Sequence, residues 1–146
     1  MNIREYEPND LVQCLHLFID VFNKEPWNEK WTMDRAELYL QNYINTPGFI
    51  GVLSEQDETV DGFIFGVNKP LWSGDEFFIN EMCVRTDRHR SGTGTKMLQY
   101  LERILIKDGI TDIALLTNRN IPAEQFYLKN GFEEISRLVF LAKHID

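Results

Sequence analysis

A glycine-containing loop in the second half of the chain limits the possible folds more than any other feature. It follows the apolar run DEFFINEMCV (75–84), which predicts a long strand. The loop spans residues 85–94, here called the glycine loop, and carries Gly92 and Gly94 where an amphipathic helix begins. One apolar face of that helix is formed by Met97, Leu98, Leu101, Ile104 and Leu105. This order is typical of a sheet domain with helices packed on it.

The start of such a helix suits a phosphate group. First-turn N–H groups have no acceptor within the helix, and glycine lets a phosphate approach the backbone. A P-loop is excluded because Lys96 does not follow a glycine. A dinucleotide fingerprint fits poorly because bulky Met97 stands three residues after Gly94, although Asp112 lies roughly where its ribose-binding acid is expected. A tight turn without a ligand stays open as an alternative.

The remaining segments predict a mixed α/β domain. Helical apolar faces lie at Leu11, Leu15, Phe18 and Phe22, and, after a Thr32 cap, at Ala36, Tyr39, Leu40, Tyr43 and Ile44. Two strands, 48–55 and 59–68, form a hairpin. Residues 110–117 predict a strand buried on both faces, 121–130 a short helix and 133–145 a final strand. The predicted order is β, α, α, β, β, β, α, β, α, β, with a parallel pair around the third helix.

Composition excludes several functional classes. A chain of 146 residues predicts a single domain, 1–146. Its net charge of −8 arises entirely within residues 1–62, which hold 12 acidic and 4 basic residues, and this argues against nucleic acid as a partner. No apolar run is long enough for a membrane span or a signal peptide, so a cytoplasmic location is expected. Cys14 and Cys83 show no CxxC or Cys/His pattern, which predicts reduced thiols and no metal site.

Two motifs together resemble the GNAT superfamily of acyl-CoA-dependent N-acyltransferases. The first is His89-Arg90-Ser91-Gly92-Thr93-Gly94, which fits Gln/Arg-x-x-Gly-x-Gly/Ala except that histidine replaces the usual glutamine or arginine. The second is NIPAEQFYLKNGF (120–132), which fits Asn-x-x-Ala-x-x-Phe-Tyr-x-Lys-x-Gly-Phe. The resemblance implies a mostly antiparallel sheet with a splayed parallel strand pair and flanking helices. It also implies acetyl-CoA as the acyl donor.

The same resemblance implies where CoA binds. Backbone amides around the motif would hold the pyrophosphate: His89, Arg90, Ser91, Gly92, Thr93, Gly94 and Thr95. Arg88 and Arg90 would serve the remaining phosphate, although such a basic cluster is equally consistent with a solvated turn. Backbone groups of Met82, Cys83 and Val84 would contact the pantetheine arm or the oxyanion, and Asn120 would support the arm from the other side. Asn120 also fits a helix cap.

Acyl transfer to an amine needs a base for the amine and a proton for the departing thiolate. Tyr127 matches the family tyrosine near the CoA sulfur and is the candidate general acid, with a core aromatic beside Phe126 and Phe132 as the alternative. Glu81 is the candidate base, because glutamate is uncommon inside a strand and its presence there indicates a role. An edge position or a salt bridge would also explain it. A nucleophilic Cys83 is disfavoured because the sequence places no histidine near it.

The acceptor is expected at the acidic first half of the chain. Glu25, Trp27, Glu29 and Trp31 combine carboxylates with aromatic rings, which suits a cationic amine such as a polyamine or an aminoglycoside. Packing of the tryptophans onto the sheet is the alternative, and an amino-acid or peptide N-terminus stays open as acceptor. The alternative function is a CoA-binding sensor or interaction domain without transferase activity. A homodimer is possible through the final strands.

Overall fold

Helices and strands follow one another along the chain nearly in the predicted order. The computed structural model describes residues 1–88 and 91–146, which divide into two units, Met1–Leu116 and Thr117–Asp146. The first unit contains β1 (Asn2–Glu5), α1 (Leu11–Phe22), α2 (Met33–Ile44), β2 (Phe49–Gln56), β3 (Thr59–Leu71), β4 (Gly74–Val84), α3 (Thr93–Lys107) and β5 (Asp112–Leu115). The second unit contains α4 (Pro122–Lys129).

The first unit is built on one mixed sheet with the strand order β1-β2-β3-β4-β5. Neighbouring strands are antiparallel except β4 and β5, which run parallel. The sheet and the helices α1 to α4 confirm the predicted mixed α/β fold, and the β2–β3 hairpin is also confirmed. Thr32 caps α2 as expected, because its side chain accepts a hydrogen bond from the Arg35 N–H.

Apolar side chains of β3 alternate between the two faces of the sheet. Phe63 and Phe65 belong to the buried cluster formed with α1 and α2. On the opposite face, a Cβ added at Gly62 would collide with the Met97 side chain of α3, so the glycine is required for this close approach. α1 and α2 therefore cover one face of the sheet and α3 covers the other.

A β-bulge in β4 decides which face its last residues occupy. Ile79 lies opposite Gly66 and Glu81 opposite Phe65, so Asn80 is an extra residue without a partner in the β3–β4 register. In a regular strand Glu81 would lie on the same face as Ile79. The bulge instead turns Glu81, together with Cys83, toward the face that α1 and α2 cover.

Two strand predictions are wrong. Residues 133–145 form no strand in the part of the chain that the structure describes, and six of their apolar side chains are more than half exposed: Ile135, Leu138, Val139, Phe140, Leu141 and Ile145. An apolar run becomes a strand only where another strand completes its hydrogen bonds. β5 has four residues and is the edge strand of the sheet formed by residues 1–88 and 91–116. It is half-buried, whereas the sequence predicted a strand buried on both faces.

None of the helices within residues 1–88 and 91–146 combines the length and apolar character that a membrane crossing demands.

Candidate active site

The central pair of the candidate site joins β4 to α2. The Tyr39 hydroxyl donates a hydrogen bond to Oε2 of Glu81 over 2.7 Å. Glu81 is half-buried, and among the described residues no cation forms an ion pair with it. A salt bridge is therefore not the reason for a glutamate at this position. Tyr39 was predicted only as a core residue, so its contact with Glu81 is a functional feature that the sequence reasoning missed.

The surroundings favour the protonated form of Glu81. Burial raises the pKa of Glu81 to about 7, and the nearby Glu29 carboxylate adds to the increase, whereas the hydrogen bond from Tyr39 opposes it. Burial and the neighbouring Glu81 carboxylate also raise the pKa of the Tyr39 phenol, which keeps the phenol a hydrogen-bond donor. Glu81 therefore exchanges its proton close to neutral pH, as a general base requires.

Two of the four predicted acceptor residues lie beside this pair. The Trp31 ring packs against Tyr39 with a centroid separation of 5.0 Å. Its indole N–H donates to Oε1 of Glu29 over 2.6 Å. Glu29 and Trp31 also line an open cleft, together with Lys30 and Arg35. A carboxylate and an aromatic ring next to the Glu81 carboxyl form a surface suited to an amine cation.

The other two predicted acceptor residues have different surroundings. The Trp27 ring packs on Phe22 with a centroid separation of 5.2 Å and lies against the core of the α1–α2 side. The Trp31 ring also packs on this core, 4.9 Å from the Phe18 ring, so both tryptophans fit the packing alternative. Glu25 is exposed in the same loop. The structure thus brings Glu29 and Trp31, rather than the whole set, next to Glu81.

β4 extends beyond its ladder with β5. The ladder with β5 ends at Ile79 and Leu115, while β4 continues to Val84 beside β3. Within the described residues, the ladder with β5 includes none of residues 80–83. Met82 and Cys83 lie in this segment, and Val84 follows them at the end of β4.

The Cys83 side chain lies in the buried cluster that the sheet forms with α1 and α2. It is 2% exposed, its Sγ lies 3.9 Å from the Leu17 carbonyl oxygen of α1, and burial raises the pKa of its thiol well above the usual value. A buried neutral thiol is a poor nucleophile, so a covalent route through Cys83 has no support from the structure. Only its backbone remains a candidate contact for the acyl donor.

The glycine loop meets α3 in a form that a phosphate can approach. Gly92 has a φ of +87°, and a Cβ added there would find no atom of residues 1–88 or 91–146 within 4 Å, so these residues leave the space beside the backbone open. Ser91 shares a hydrogen bond of 2.8 Å with Thr93 Oγ1, which is fully buried. Gly94 and Thr95 continue the first turn of α3. The predictions for His89 and Arg90 concern positions outside the described residues.

The second unit contains the other two predicted residues. Tyr127 is half-buried in α4, and its ring contacts Phe126 and Phe132 at centroid separations of 5.4 and 5.5 Å. These are the neighbours that the core-aromatic alternative named. Asn120 has a φ of +65°, and its N–H donates to the Glu124 carboxylate over 2.8 Å. The N-cap position of α4 is Ile121, so Asn120 is not the helix cap.

Comparison with known proteins identifies the family. The model of the acetyltransferase (GNAT) family matches residues 13–132, and the chain therefore belongs to this family. A chloroplastic GCN5-related N-acetyltransferase 7 of Arabidopsis thaliana is 34% identical over 70 residues. That match spans 45% of this chain and only 26% of the relative.

Solved acetyltransferases share the fold. An aminoglycoside 6'-N-acetyltransferase from Acinetobacter haemolyticus superposes with a TM-score of 0.80 at 16% identity, over 100% of both chains. AAC(6')-Iy in complex with the bisubstrate analogue CoA-S-monomethyl-acetylneamine has a TM-score of 0.77 at 18% identity, over 99% of this chain and 98% of that one. At such identities the likeness concerns the fold.

Proposed function

We propose that this protein is an N-acetyltransferase that moves an acetyl group from acetyl-CoA directly to a primary amine of a small cationic molecule. The observation that carries this proposal is the hydrogen-bonded Tyr39–Glu81 pair. Its glutamate lies on β4 beyond the end of the ladder with β5, and the pair lies beside the acidic, aromatic surface of Glu29 and Trp31. Family membership supports the reaction type.

Charge and aromatic contacts support the acceptor class. Glu29 is exposed, and its charge raises the pKa of Glu81. An ammonium group bound beside Trp31 would therefore interact with both carboxylates. One protein with a similar fold is described as an aminoglycoside 6'-N-acetyltransferase, and another is in complex with the bisubstrate analogue CoA-S-monomethyl-acetylneamine. We therefore propose a polycationic amine, such as a polyamine or an aminoglycoside, as the acceptor.

Glu81 is the proposed general base. A protonated amine must lose a proton before its nitrogen can attack the thioester. A carboxylate near the acceptor takes that proton directly or through a water. Because the pKa of Glu81 is raised to about 7, the carboxylate is ionised at pH 8 yet basic enough to accept the proton. Tyr39 holds Oε2, which leaves Oε1 as the oxygen proposed to accept it.

The donor side uses the glycine loop and α4. Acetyl-CoA supplies an activated thioester, whose C–S bond breaks as the amine forms the new C–N bond. The backbone amides of Ser91, Gly92, Thr93, Gly94 and Thr95 are proposed to hold its pyrophosphate, which the open space at Gly92 permits. Tyr127 is proposed to give its phenolic proton to the departing thiolate, as the motif implies.

We further propose that residues 1–146 act together as one acetyltransferase domain, because the family match at residues 13–132 extends across both units. Cys14 and Cys83 are free and buried, which suits a reducing compartment such as the cytoplasm.

The test combines binding with turnover. Calorimetry with acetyl-CoA is followed by a thiol-release assay at pH 8 with spermidine, an aminoglycoside and an amino-acid amide. We expect Glu81→Gln to lower kcat about 100-fold or more while the Kd for acetyl-CoA stays unchanged. Glu76→Gln, on the same strand, is the matched control and should keep full activity. Binding without turnover on any amine would instead favour the CoA-binding sensor.

A further inference from the structure

A buried carboxylate lies behind the glycine loop. Asp61 is 1% exposed, and among the described residues neither of its carboxylate oxygens has a hydrogen-bond partner. Asp61 is also the extra residue of a β-bulge, because Ser54 lies opposite Gly62 and Glu55 opposite Val60. A buried charge without hydrogen bonds destabilises a protein unless another charge compensates for it. This residue therefore needs a physical explanation that neither the core nor the proposed chemistry gives.

The compensating charges come from the start of the glycine loop. Nε of Arg88 lies 3.4 Å from Oδ2 of Asp61 and is itself buried. The Arg85 N–H donates to the Asp61 carbonyl oxygen over 2.8 Å. The hydrogen bond with Asp87 is the main cause of the raised pKa of the Arg85 guanidinium, and the Asp61 charge adds to it. Asp61 thus contacts the loop through both its backbone and its side chain.

Arg88 in turn contacts the residues at which α3 begins. Its carbonyl oxygen accepts hydrogen bonds from the Ser91 N–H, over 3.2 Å, and from the Ser91 hydroxyl. Ser91 then shares its hydroxyl hydrogen bond with Thr93, the first residue of α3. A continuous series of contacts therefore runs from the Asp61 carboxylate through Arg88 and Ser91 to the first turn of α3.

We propose that Asp61 is a positioning residue for the diphosphate of the acyl donor: its buried carboxylate holds Arg88, and Arg88 fixes Ser91 and the first turn of α3. The inference rests on the proposed function, since it assigns a purpose to the residues that hold CoA. Asp61 touches no substrate in this scheme. It also explains why Arg88, which the sequence suggested as a direct phosphate ligand, has its Nε directed at a carboxylate.

The test uses Asp61→Asn, which keeps the side-chain size and removes the charge. We expect the Kd for CoA and the KM for acetyl-CoA to rise about tenfold, while kcat at saturating acetyl-CoA stays within about twofold of the wild type. A merely structural role would lower the thermal midpoint without this selective change in KM. Asp10→Asn is the matched control because Asp10 is also buried and pairs with an arginine, Arg4, at 2.8 Å. It should lose thermal stability and keep the wild-type Kd.

A second variant keeps the test decisive if Asp61→Asn does not fold. Arg88→Gln alters a side chain that is 33% exposed and should fold; it is expected to raise the same Kd. In the double variant the Kd should be no higher than in the weaker-binding single variant, because both changes break one contact series. A wild-type Kd in Asp61→Asn, or in Arg88→Gln, would overturn the inference and leave the proposed function intact. Absence of CoA binding by the wild type would overturn both.

Discussion

The glycine loop and the Glu81 surroundings are opposite in charge and in construction. The described part of the loop carries Arg85 and Arg88, its internal contacts join residues two or three positions apart, and Asp61 of β3 contacts it from outside. The other region is acidic, and its key hydrogen bond joins Tyr39 and Glu81, 42 positions apart in the sequence. A short motif can therefore specify the internal contacts of the loop, although its contact with Asp61 also depends on the fold. The Glu81 region exists only after the chain has folded.

The difference in charge follows from the distribution of acids along the chain. Residues 1–62 hold 12 acidic and 4 basic residues, and Glu29 belongs to this segment. Residues 63–146 are balanced at 11 and 11. Residues 1–62 thus favour a cation, whereas residues 63–146 carry no net charge that would oppose a phosphate at the glycine loop. In the proposed reaction, this difference favours binding of the cationic acceptor beside the acidic segment and of the anionic donor at the loop.

The largest effect that separates the two regions is expected from Gly92→Ala. The new Cβ would occupy the open space at the start of α3 and strain a residue with φ of +87°. We expect the KM for acetyl-CoA to rise about tenfold, because one misplaced contact to a bound substrate costs this much or more. The KM for the amine and the acidic limb of the pH profile should not change. Steady-state kinetics with both substrates varied measures all three.

Gly109→Ala is the control for backbone strain. Gly109 follows the opposite end of α3, has a φ of +78°, and likewise has no atom within 4 Å of an added Cβ. Both alanine variants should therefore lose about 1 to 2 kcal/mol of unfolding free energy. An equal rise in the KM for acetyl-CoA in both variants would show that strain, not the phosphate contact, causes the effect.

Tyr39→Phe should change the other region alone. The hydrogen bond from Tyr39 stabilises the ionised form of Glu81 and so lowers its pKa. Without it the pKa rises above 7, and the acidic limb of kcat/KM should move upward by about one pH unit, given the usual strength of hydrogen bonds to charged groups. Among residues 1–88 and 91–146, Glu29, Cys83 and Tyr39 are the titratable groups that face Glu81 or lie next to it on β4. The pH dependence of kcat/KM at saturating acetyl-CoA measures the change.

Tyr6→Phe is the control for loss of a phenol. Tyr6 packs edge-on against Phe49 and Phe65 and makes no contact with Glu81 among the described residues. Its pH profile should match that of the wild type. If Tyr39→Phe also kept the wild-type profile, then Glu81 would not be the group whose ionisation limits the rate.

Sequence reasoning succeeded where the determining contacts are local. The α1 and α3 faces were confirmed because helical spacing reports directly which side chains are buried. The resemblance rested on short motifs for the same reason, and the family match confirmed it. The prediction of a final strand was wrong because residues 133–145 carry a suitable apolar run but have no strand partner within the described chain.

The Glu81 region could not be predicted for a different reason. The bulge at Asn80 alone decides that Glu81 faces α2, and a bulge leaves no reliable mark in a single sequence. Tyr39 fitted the apolar face of α2, so its helical spacing indicated only a core residue. A buried tyrosine does need a partner for its hydroxyl, and a glutamate inside a strand does need a reason. Both signals are present in the sequence, but only the folded chain shows that the Tyr39 hydroxyl and the Glu81 carboxylate are hydrogen-bonded to each other.

The smallest predicted effect concerns Glu29→Gln, and it connects acceptor binding with the ionisation of Glu81. Because the Glu29 carboxylate raises the pKa of Glu81, its removal should move the acidic limb of kcat/KM to lower pH, opposite to Tyr39→Phe. The KM for a polycationic amine should rise about threefold to fivefold, as expected for one exposed charge. The glutamine can still accept the Trp31 hydrogen bond, so the loop should keep its structure. Glu25→Gln removes an equally exposed acid four residues earlier and should change neither quantity. Equal increases in KM for both variants would mean that the acidic segment attracts the amine only through its total charge, and that Glu29 is no part of the acceptor site.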